Sequence, residues 1–356
     1  MKILHLITTI EIGGAEKHLL QLATFQRNLG HEVKIIYLKG EPQLKSLFER
    51  NHVEVLNRES INSLGIFLLI LRSLNTFNPT IVHAHLPKAE LLVGLARVFK
   101  AFTFVVSRHN SEPLFSERLK LLNRILTKFI SKQSNGVIYI SEAAKRAFEV
   151  RNEIVKGECL KVIHYGIDLK VRAPRPVKYS KSKTKKCFTL SRLTEQKNLE
   201  RLIEAFSEIR THEYHFHIYG EGHLKESLEN KIRKNGLQEK IKIQAKVENV
   251  EQIFEKYDFF ILGSLYEGFG LALLEAMNSG KFIIASGRSS IVEILGKEYK
   301  FLFDPLSVDS IRDTIMKAWR SSNDETLDYL HERVRSFAIE SMVSKTLNFY
   351  ALVATN

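Results

Sequence analysis

Two cysteines in 356 residues leave no basis for a disulfide framework, and Cys159 and Cys187 lie too far apart for a CxxC or zinc-ligand spacing. A reducing compartment, the cytoplasm, fits that scarcity. Long apolar runs are also missing. The most apolar stretch after the N-terminus, LGIFLLILRSL, is interrupted by Arg72 and falls short of the roughly 20 residues that span a bilayer. The N-terminal MKILHLITTIEIGG lacks the apolar h-region and cleavage site of a signal peptide and reads as a first strand followed by a glycine loop. No DxD pair occurs, which argues against a carboxylate-held divalent metal on phosphates. No basic stripe is interleaved with stacking aromatics, so a nucleic-acid partner is not expected. Low-complexity tracts and short internal repeats are absent.

What remains is the composition of a soluble globular protein, 44% hydrophobic and 26% charged, long enough for two domains with separate cores. Its net charge of +13 is uneven: residues 1–178 hold 27 Lys and Arg against 15 Asp and Glu, and the rest 26 against 25. The basic excess of the first half points to an anionic partner, a membrane surface, a nucleic acid or an acidic substrate.

Strand-like and helix-like segments alternate. KILHLIT, EVKIIYL, TIVHAHL, FTFVVSRH and GVIYIS form one series; CFTLSRL, HFHIYGEG, KIKIQAK, YDFFILGS and KFIIASG form a second. Such alternation builds parallel sheets covered by helices. Between the series, KVRAPRPVKYSKSKTKK reads as an exposed linker. The expected fold class is α/β, two doubly wound Rossmann-like domains facing a cleft. The expected divisions are a first domain at 1–170, a linker at 171–186, a second domain at 187–335 and a C-terminal helix at 336–356. Ligands then belong at the carboxyl ends of strands.

The segment YEGFGLALLEAM, Tyr266 to Met277, follows a short apolar strand and places Gly268 and Gly270 before a helix carrying Leu271, Leu274 and Met277, which Ser279 and Gly280 end. Strand, glycine turn and helix N-terminus suit a phosphate. The carboxylates of Glu267 and Glu275 beside it make sense as acceptors for sugar hydroxyls; Glu275 reads equally as a solvated helix residue. In LSRLTEQKNLERLIEAF, Arg192 ends a strand and Lys197 lies in the following loop, where both could neutralise a diphosphate or be ordinary surface cations. Asn198 is a candidate N-cap for a helix with the face Leu199, Leu202, Ile203 and Phe206. Gly13 and Gly14 permit close approach of a ligand or form a tight strand-to-helix turn. YGEGHL lacks the third glycine of a dinucleotide loop. His83 and His85 alternate on a strand end and could ligate a metal, but no third ligand of suitable spacing accompanies them, so satisfied structural histidines are the simpler reading. His109 opens a polar loop directly after a strand, a place suited to facing a cleft.

The blocks IGGAE, SRLTEQK, YGEG and EGFGLALLEAM followed by SGK, with IVHAHLPKAELL, GVIYISEAAK and VIHYGIDL in order, resemble the retaining glycosyltransferases of the GT-B fold, family 4, over nearly the whole chain. The resemblance makes 1–170 the acceptor-side domain and 187–335 the nucleotide-sugar-binding domain, with the helix at 336–356 crossing back to the first, and implies that Arg192 and Lys197 contact the donor diphosphate and that Glu275 binds the nucleotide ribose. It places Glu267 and the backbone of Gly268, Phe269, Gly270 and Leu271 at the donor sugar and phosphates. Gly13 and Gly14 at the N-terminal turn, with His109, would face them, and Val247 would hold the base through its backbone. Catalytic roles then fall to Glu267, His109, Arg192 and Lys197, with no metal and no cofactor beyond the UDP- or GDP-sugar donor. Two positions depart from the pattern: Tyr165 stands where Asn is usual, and Ser289-Ser290 replace a frequent Gly-Gly near Glu293.

The resemblance implies retention, with a leaving phosphate oxygen as base and no nucleophilic carboxylate, and an enzyme transferring a hexosyl or N-acetylhexosaminyl group in bacterial lipopolysaccharide, O-antigen or capsule synthesis. The acceptor is expected to be a glycan or a polyprenyl- or lipid-linked glycan. In FSERLKLLNRILTKFISKQ, Lys120, Arg124, Lys128 and Lys132 form one stripe and Leu119, Leu122, Leu126 and Phe129 another. This helix either meets an anionic membrane as a peripheral anchor on its cytoplasmic face or packs its apolar stripe on its own domain. Competing readings are a non-catalytic nucleotide-sugar-binding subunit and a sugar-nucleotide 2-epimerase of the same fold; a glycogen-phosphorylase-like enzyme would need a pyridoxal-binding lysine motif, which is missing.

Overall fold

The computed structural model describes residues 1–56, 63–109, 117–169, 184–209, 212–245, 247 and 250–355. It divides into two compact units, Met1–Gly166 with Ile339–Asn356, and Ile167–Ala338. In the first, β1 (Lys2–Ile7), β2 (Glu32–Tyr37), β3 (Glu54–Leu56), β4 (Ile81–His85), β5 (Phe104–Arg108), β6 (Gly136–Tyr139) and β7 (Leu160–Val162) form one sheet in the order β3-β2-β1-β4-β5-β6-β7. Every neighbouring pair is parallel. Alternate residues feed opposite faces. Ile3, Ile7, Ile35 and Ile81 join one apolar cluster, completed by Phe349, Tyr350 and Val353 of the C-terminal helix Ile339–Thr355. Leu4, Leu6, Ile36, Val82 and Ala84 join another, under the helices Ser63–Thr76 and Pro87–Phe99. Burial on both faces explains why these strands read as near-continuous apolar runs.

The second unit repeats the plan with β8 (Lys185–Leu190), β9 (Tyr214–Tyr219), β10 (Ile241–Gln244), β11 (Phe259–Leu262), β12 (Phe282–Ser286) and β13 (Leu302–Phe303), ordered β10-β9-β8-β11-β12-β13 and again parallel. The helix Leu199–Ser207 buries Leu199, Leu202, Ile203 and Phe206, the face its spacing predicts. In both sheets the strand order reverses beside the first strand, between β1 and β4 and between β8 and β11. These reversals open the crevices in which doubly wound folds take ligands.

Several expectations change. The strand β8 starts at Lys185, inside the stretch read as linker, and residues 170–183 of that stretch lie outside the described residues. The units part at Gly166 and Ile167 rather than at 170. Three strands, β3, β7 and β13, had no counterpart in the sequence reading; each has only two or three residues, too few to show a period. The helix Lys120–Gln133 buries Asn123, Thr127, Ile130 and Ser131; of its apolar stripe Leu126 and Phe129 are half-buried, Phe129 against the core, while Leu122 and the preceding Leu119 are exposed, as are Leu121 and Ile125. Among the described residues, no helix is long and apolar enough to cross a membrane.

Candidate functional site

The crevice of the second unit is built from the ends of β8 and β11. After β8 the chain passes Arg192, exposed at the strand end, and forms a short 3-10 turn Glu195–Lys197. Asn198 then adopts a left-handed backbone, φ 55° and ψ 33°, before the helix Leu199–Ser207. It does not cap that helix through its side chain. The left-handed turn directs the amide inward, where Nδ2 donates to Gly263 O at 3.2 Å and Pro305 O at 2.8 Å. Oδ1 accepts from Arg201 at 3.0 Å. Asn198 thus ties the β8 turn to the end of β11.

After β11, Glu267 is 8% exposed and its Oε1 accepts from Lys197 Nζ at 2.5 Å and Ser264 Oγ at 2.6 Å. A buried ion pair of this geometry is held by its hydrogen bonds; removing one partner would strand the other charge. Gln196 binds the same turn, its Nε2 donating to Tyr266 O at 2.8 Å and its backbone O accepting from Leu265 N–H at 2.8 Å. Arg192 reaches Gln196 Oε1 at 3.4 Å. Gly270, at φ 112°, gives the turn a conformation few side-chain-bearing residues adopt, and the helix Leu271–Asn278 starts beyond it. Phe269 and Leu271 are buried and Gly268 and Glu275 are half-buried.

Ser289 and Ser290, which depart from the Gly-Gly of the family pattern, occupy this turn. Ser289 takes φ 57° and ψ −147°, close to a region reserved for glycine. Its hydroxyl offsets the strain by accepting from Glu267 N–H at 3.2 Å and donating to Glu267 O at 2.8 Å. Ser290 Oγ lies 2.7 Å from Phe269 O. Two hydroxyls therefore fasten the glycine turn where the pattern has none. Neither serine was assigned this role from sequence; a non-glycine at a glycine position was the available signal.

Val247, half-buried beyond β10, belongs to this unit but has no described neighbour on either side. Gly13, Gly14 and His109 belong to the first unit. A Cβ at Gly14 would meet nothing within 4 Å, whereas one at Gly13 would lie 2.3 Å from a Glu16 carboxylate oxygen. Space above Gly14 suits close approach of a ligand; the Glu16 carboxylate covers Gly13.

The crevice of the first unit holds imidazoles. Register pairs His5 with His83 and Ile7 with His85, so three rings share one face of the sheet. His5 is the third histidine that linear spacing did not offer to His83 and His85, and the three rings present nitrogens within 4.8 Å of one another. Each is already hydrogen-bonded. His83 lies 2.5 Å from the Tyr350 hydroxyl and 2.8 Å from Ser107 Oγ. His5 reaches Gln26 Oε1 at 2.8 Å and His85 at 3.0 Å. His85 continues to His109 at 2.8 Å, and His109 to the Tyr165 hydroxyl at 2.5 Å. Burial favours the uncharged ring, lowering His5 to about 4 and His109 to about 3, and depressing His83 and His85 well below the usual range. His109 is 8% exposed with both nitrogens engaged, so it is not the freely cleft-facing side chain its loop position suggested.

Comparison with known proteins bears on both units. The family model "Glycosyltransferase Family 4" matches residues 12–171, and "Glycosyl transferases group 1" matches residues 172–337. Together they account for most of the chain, which belongs to the group 1, family 4 glycosyltransferases of the GT-B fold. One relative, the UDP-N-acetylglucosamine–peptide N-acetylglucosaminyltransferase GtfA subunit of Limosilactobacillus reuteri, is 37% identical over 100 residues, 27% of this chain and 19% of that protein. The chain thus matches about a fifth of that relative's length. A Campylobacter jejuni protein named as an α-1,4-N-acetyl-D-galactosaminyltransferase acting on a diNAcBac-PP-undecaprenol-linked glycan is 24% identical across 78% of this chain and 77% of its own. Anabaena Alr3699/HepE, solved in complex with UDP and glucose, superposes with a TM-score of 0.82 at 21% identity, covering 98% of each chain.

Proposed function

We propose that the protein is a retaining, metal-independent glycosyltransferase that moves a hexosyl or N-acetylhexosaminyl group from a UDP- or GDP-sugar to a glycan or polyprenyl- or lipid-linked acceptor in bacterial surface polysaccharide synthesis. The observation that carries this reading is the convergence of Arg192, Lys197, Glu267 and the Gly268–Gly270 turn at the β8/β11 reversal of the second unit. Support also comes from the Anabaena protein, solved with UDP and glucose bound, and from the Campylobacter relative, whose name specifies an undecaprenol-linked acceptor.

In this reading Arg192 and Lys197 bind the diphosphate, helped by the N-terminus of the helix Leu271–Asn278. Glu267 meets the donor sugar, Glu275 the ribose, and Val247 the base through its backbone. The anomeric C–O bond breaks with its electron pair passing to the β-phosphate oxygen. The acceptor oxygen bonds to the anomeric carbon on the same face, and its proton goes to the departing phosphate. Negative charge grows on the diphosphate during this step, so the cations stabilise the transition state more than the ground state. Glu267 holds the Lys197 ammonium in place through one of its three protons, and exposed Arg192 supplies the second cation. Peripheral attachment to the cytoplasmic face of a membrane fits the exposed Leu121, Leu122 and Ile125 of the basic helix Lys120–Gln133.

The test is a panel of nucleotide sugars without added metal, followed by thermal stabilisation and nucleoside diphosphate release. One donor is expected to stabilise the protein and be consumed when an acceptor extract is supplied, with both effects lost in Arg192→Ala. Absence of stabilisation by every donor would overturn the reading.

A further inference from the structure

The histidines of the first unit have a direction. Gln26 presents its carbonyl oxygen to His5, and an oxygen of this kind only accepts. His5 therefore carries its proton on Nε2 and leaves Nδ1 bare, 3.0 Å from His85 Nε2. That nitrogen must donate, so His85 in turn has a bare Nδ1, 2.8 Å from His109 Nε2. The same step makes His109 a donor at Nε2 and an acceptor at Nδ1, which faces the Tyr165 hydroxyl at 2.5 Å. A neutral imidazole has one donor and one acceptor, and burial keeps these rings neutral. Four hydrogen bonds use one proton each from Tyr165, His109, His85 and His5.

We propose that Gln26, His5 and His85 are positioning residues that hold His109 in its Nε2–H form, so that the bare Nδ1 accepts a hydroxyl proton from the substrate, in competition with the Tyr165 phenol. The proposal rests on the reading of His109 as a substrate contact. A sugar hydroxyl makes the same bond to Nδ1 as the phenol does. A phosphate or carboxylate oxygen without a proton cannot, so the site takes a hydroxyl of the donor sugar and not its diphosphate. Tyr165 stands where the family pattern has Asn, and its ring stacks on His18 with centroids 4.1 Å apart and planes 15° apart. The stacking holds the phenol at His109 independently of the hydrogen bond.

The deciding experiment is long-range proton–nitrogen correlation on the full-length protein labelled with 15N-histidine, which reports which nitrogen of each ring bears the proton. His5, His85 and His109 should all be Nε2–H at pH 7.5. A proton on Nδ1 of His109 would overturn the chain even if donors bind. Adding UDP-glucose, UDP-N-acetylglucosamine or GDP-mannose should shift the His109 Nδ1 resonance for the sugar that stabilises the protein. Tyr165→Phe keeps the stacking and removes the competitor. It should lower KM for that sugar about three- to tenfold, the worth of one hydrogen bond, with kcat within about twofold. An unchanged KM would overturn the competition. His85→Phe should leave His109 a mixture of tautomers and raise KM more than it lowers kcat; if that variant does not fold, the wild-type tautomers and Tyr165→Phe still decide. Failure of every UDP- and GDP-sugar of the donor panel to bind would sink the functional reading and substrate recognition together, whereas wrong tautomers with binding intact would sink the chain alone.

Discussion

The two units share a strand order and differ in what they place where it reverses. At the β8/β11 reversal stand charges, Arg192 in solvent and a Lys197–Glu267 pair fastened by Ser264. At the β1/β4 reversal stand buried uncharged rings joined to one another. The same fold supplies two crevices, and residue type decides what each takes. A cationic crevice suits an anion; a neutral chain of donors and acceptors suits hydroxyls. The first unit carries most of the net positive charge of the chain, yet its crevice is the neutral one, so the basic residues serve a different surface.

Breaking the charged crevice should have the largest effect. Lys197→Met should lower kcat about 10²- to 10³-fold, the usual loss when one donor to developing negative charge is removed. It also strands a buried carboxylate, so thermal stability should fall. In Lys197→Met with Glu267→Gln, stability should recover while turnover does not, as measured by melting temperature and diphosphate release side by side. Recovery of turnover in the double variant would mean that the pair is structural and the diphosphate lies elsewhere.

The neutral crevice should show itself through pH. The folded-state values of His5 and His109, about 4 and about 3, lie below the ordinary 6.5. The unfolded chain therefore binds protons first, and the stability these rings contribute is present above pH 6.5 and lost as pH falls toward 4 and 3. His5 alone is worth about 3 kcal/mol across its window. Glu90, buried beside Arg108, works oppositely: burial outweighs the guanidinium and raises it to about 7, so its contribution is present below 4.5 and is lost as pH rises through 7. Five histidines are buried in the first unit, and among the described residues none is buried in the second. Hydrogen exchange should therefore show β1 and β4 losing protection before β8 and β11 between pH 6.5 and 4. Simultaneous loss in both units would remove the distinction.

Much of this was legible in the chain. The apolar strands, the helix face of Leu199, Leu202, Ile203 and Phe206, and the turn at Gly270 follow from local period and from glycine, and the structure has them in those places. What escaped depends on residues distant in sequence. His5 meets His83 and His85 only after β1 pairs with β4, and nothing in the spacing of an isolated strand marks it. Gln26 was an unremarkable helix residue until its amide reached His5. Asn198 was read as a cap because its type and place suited one; its left-handed backbone directed the amide to Gly263 and Pro305 instead. The helix Lys120–Gln133 shows another limit. Spacing defined its stripes, but which stripe faces inward depends on the partner surface.

That helix provides the smallest expected effect on stability and the last test of the contrast between surface and crevice. If Leu121 and Leu122 were core residues, replacing both by Ser would cost several kcal/mol. They are 67% and 42% exposed, while Asn123, Thr127 and Ser131 face inward, so the double substitution should alter stability by less than about 0.5 kcal/mol. Sedimentation with vesicles containing phosphatidylglycerol should fall in the same variant, because the apolar side chains are the part of the helix that enters the headgroup boundary. Salt should weaken the wild-type interaction through Lys120, Arg124, Lys128 and Lys132. Two of these cations also touch their own unit: Arg124 donates to Arg151 O at 3.3 Å and Lys128 lies 3.5 Å from Asn152 Oδ1. Lys120 and Lys132, both exposed, should thus account for more of the salt dependence than the two between them. Unchanged vesicle binding in the leucine variant would assign the basic excess to a soluble anionic partner and detach the first unit from the membrane.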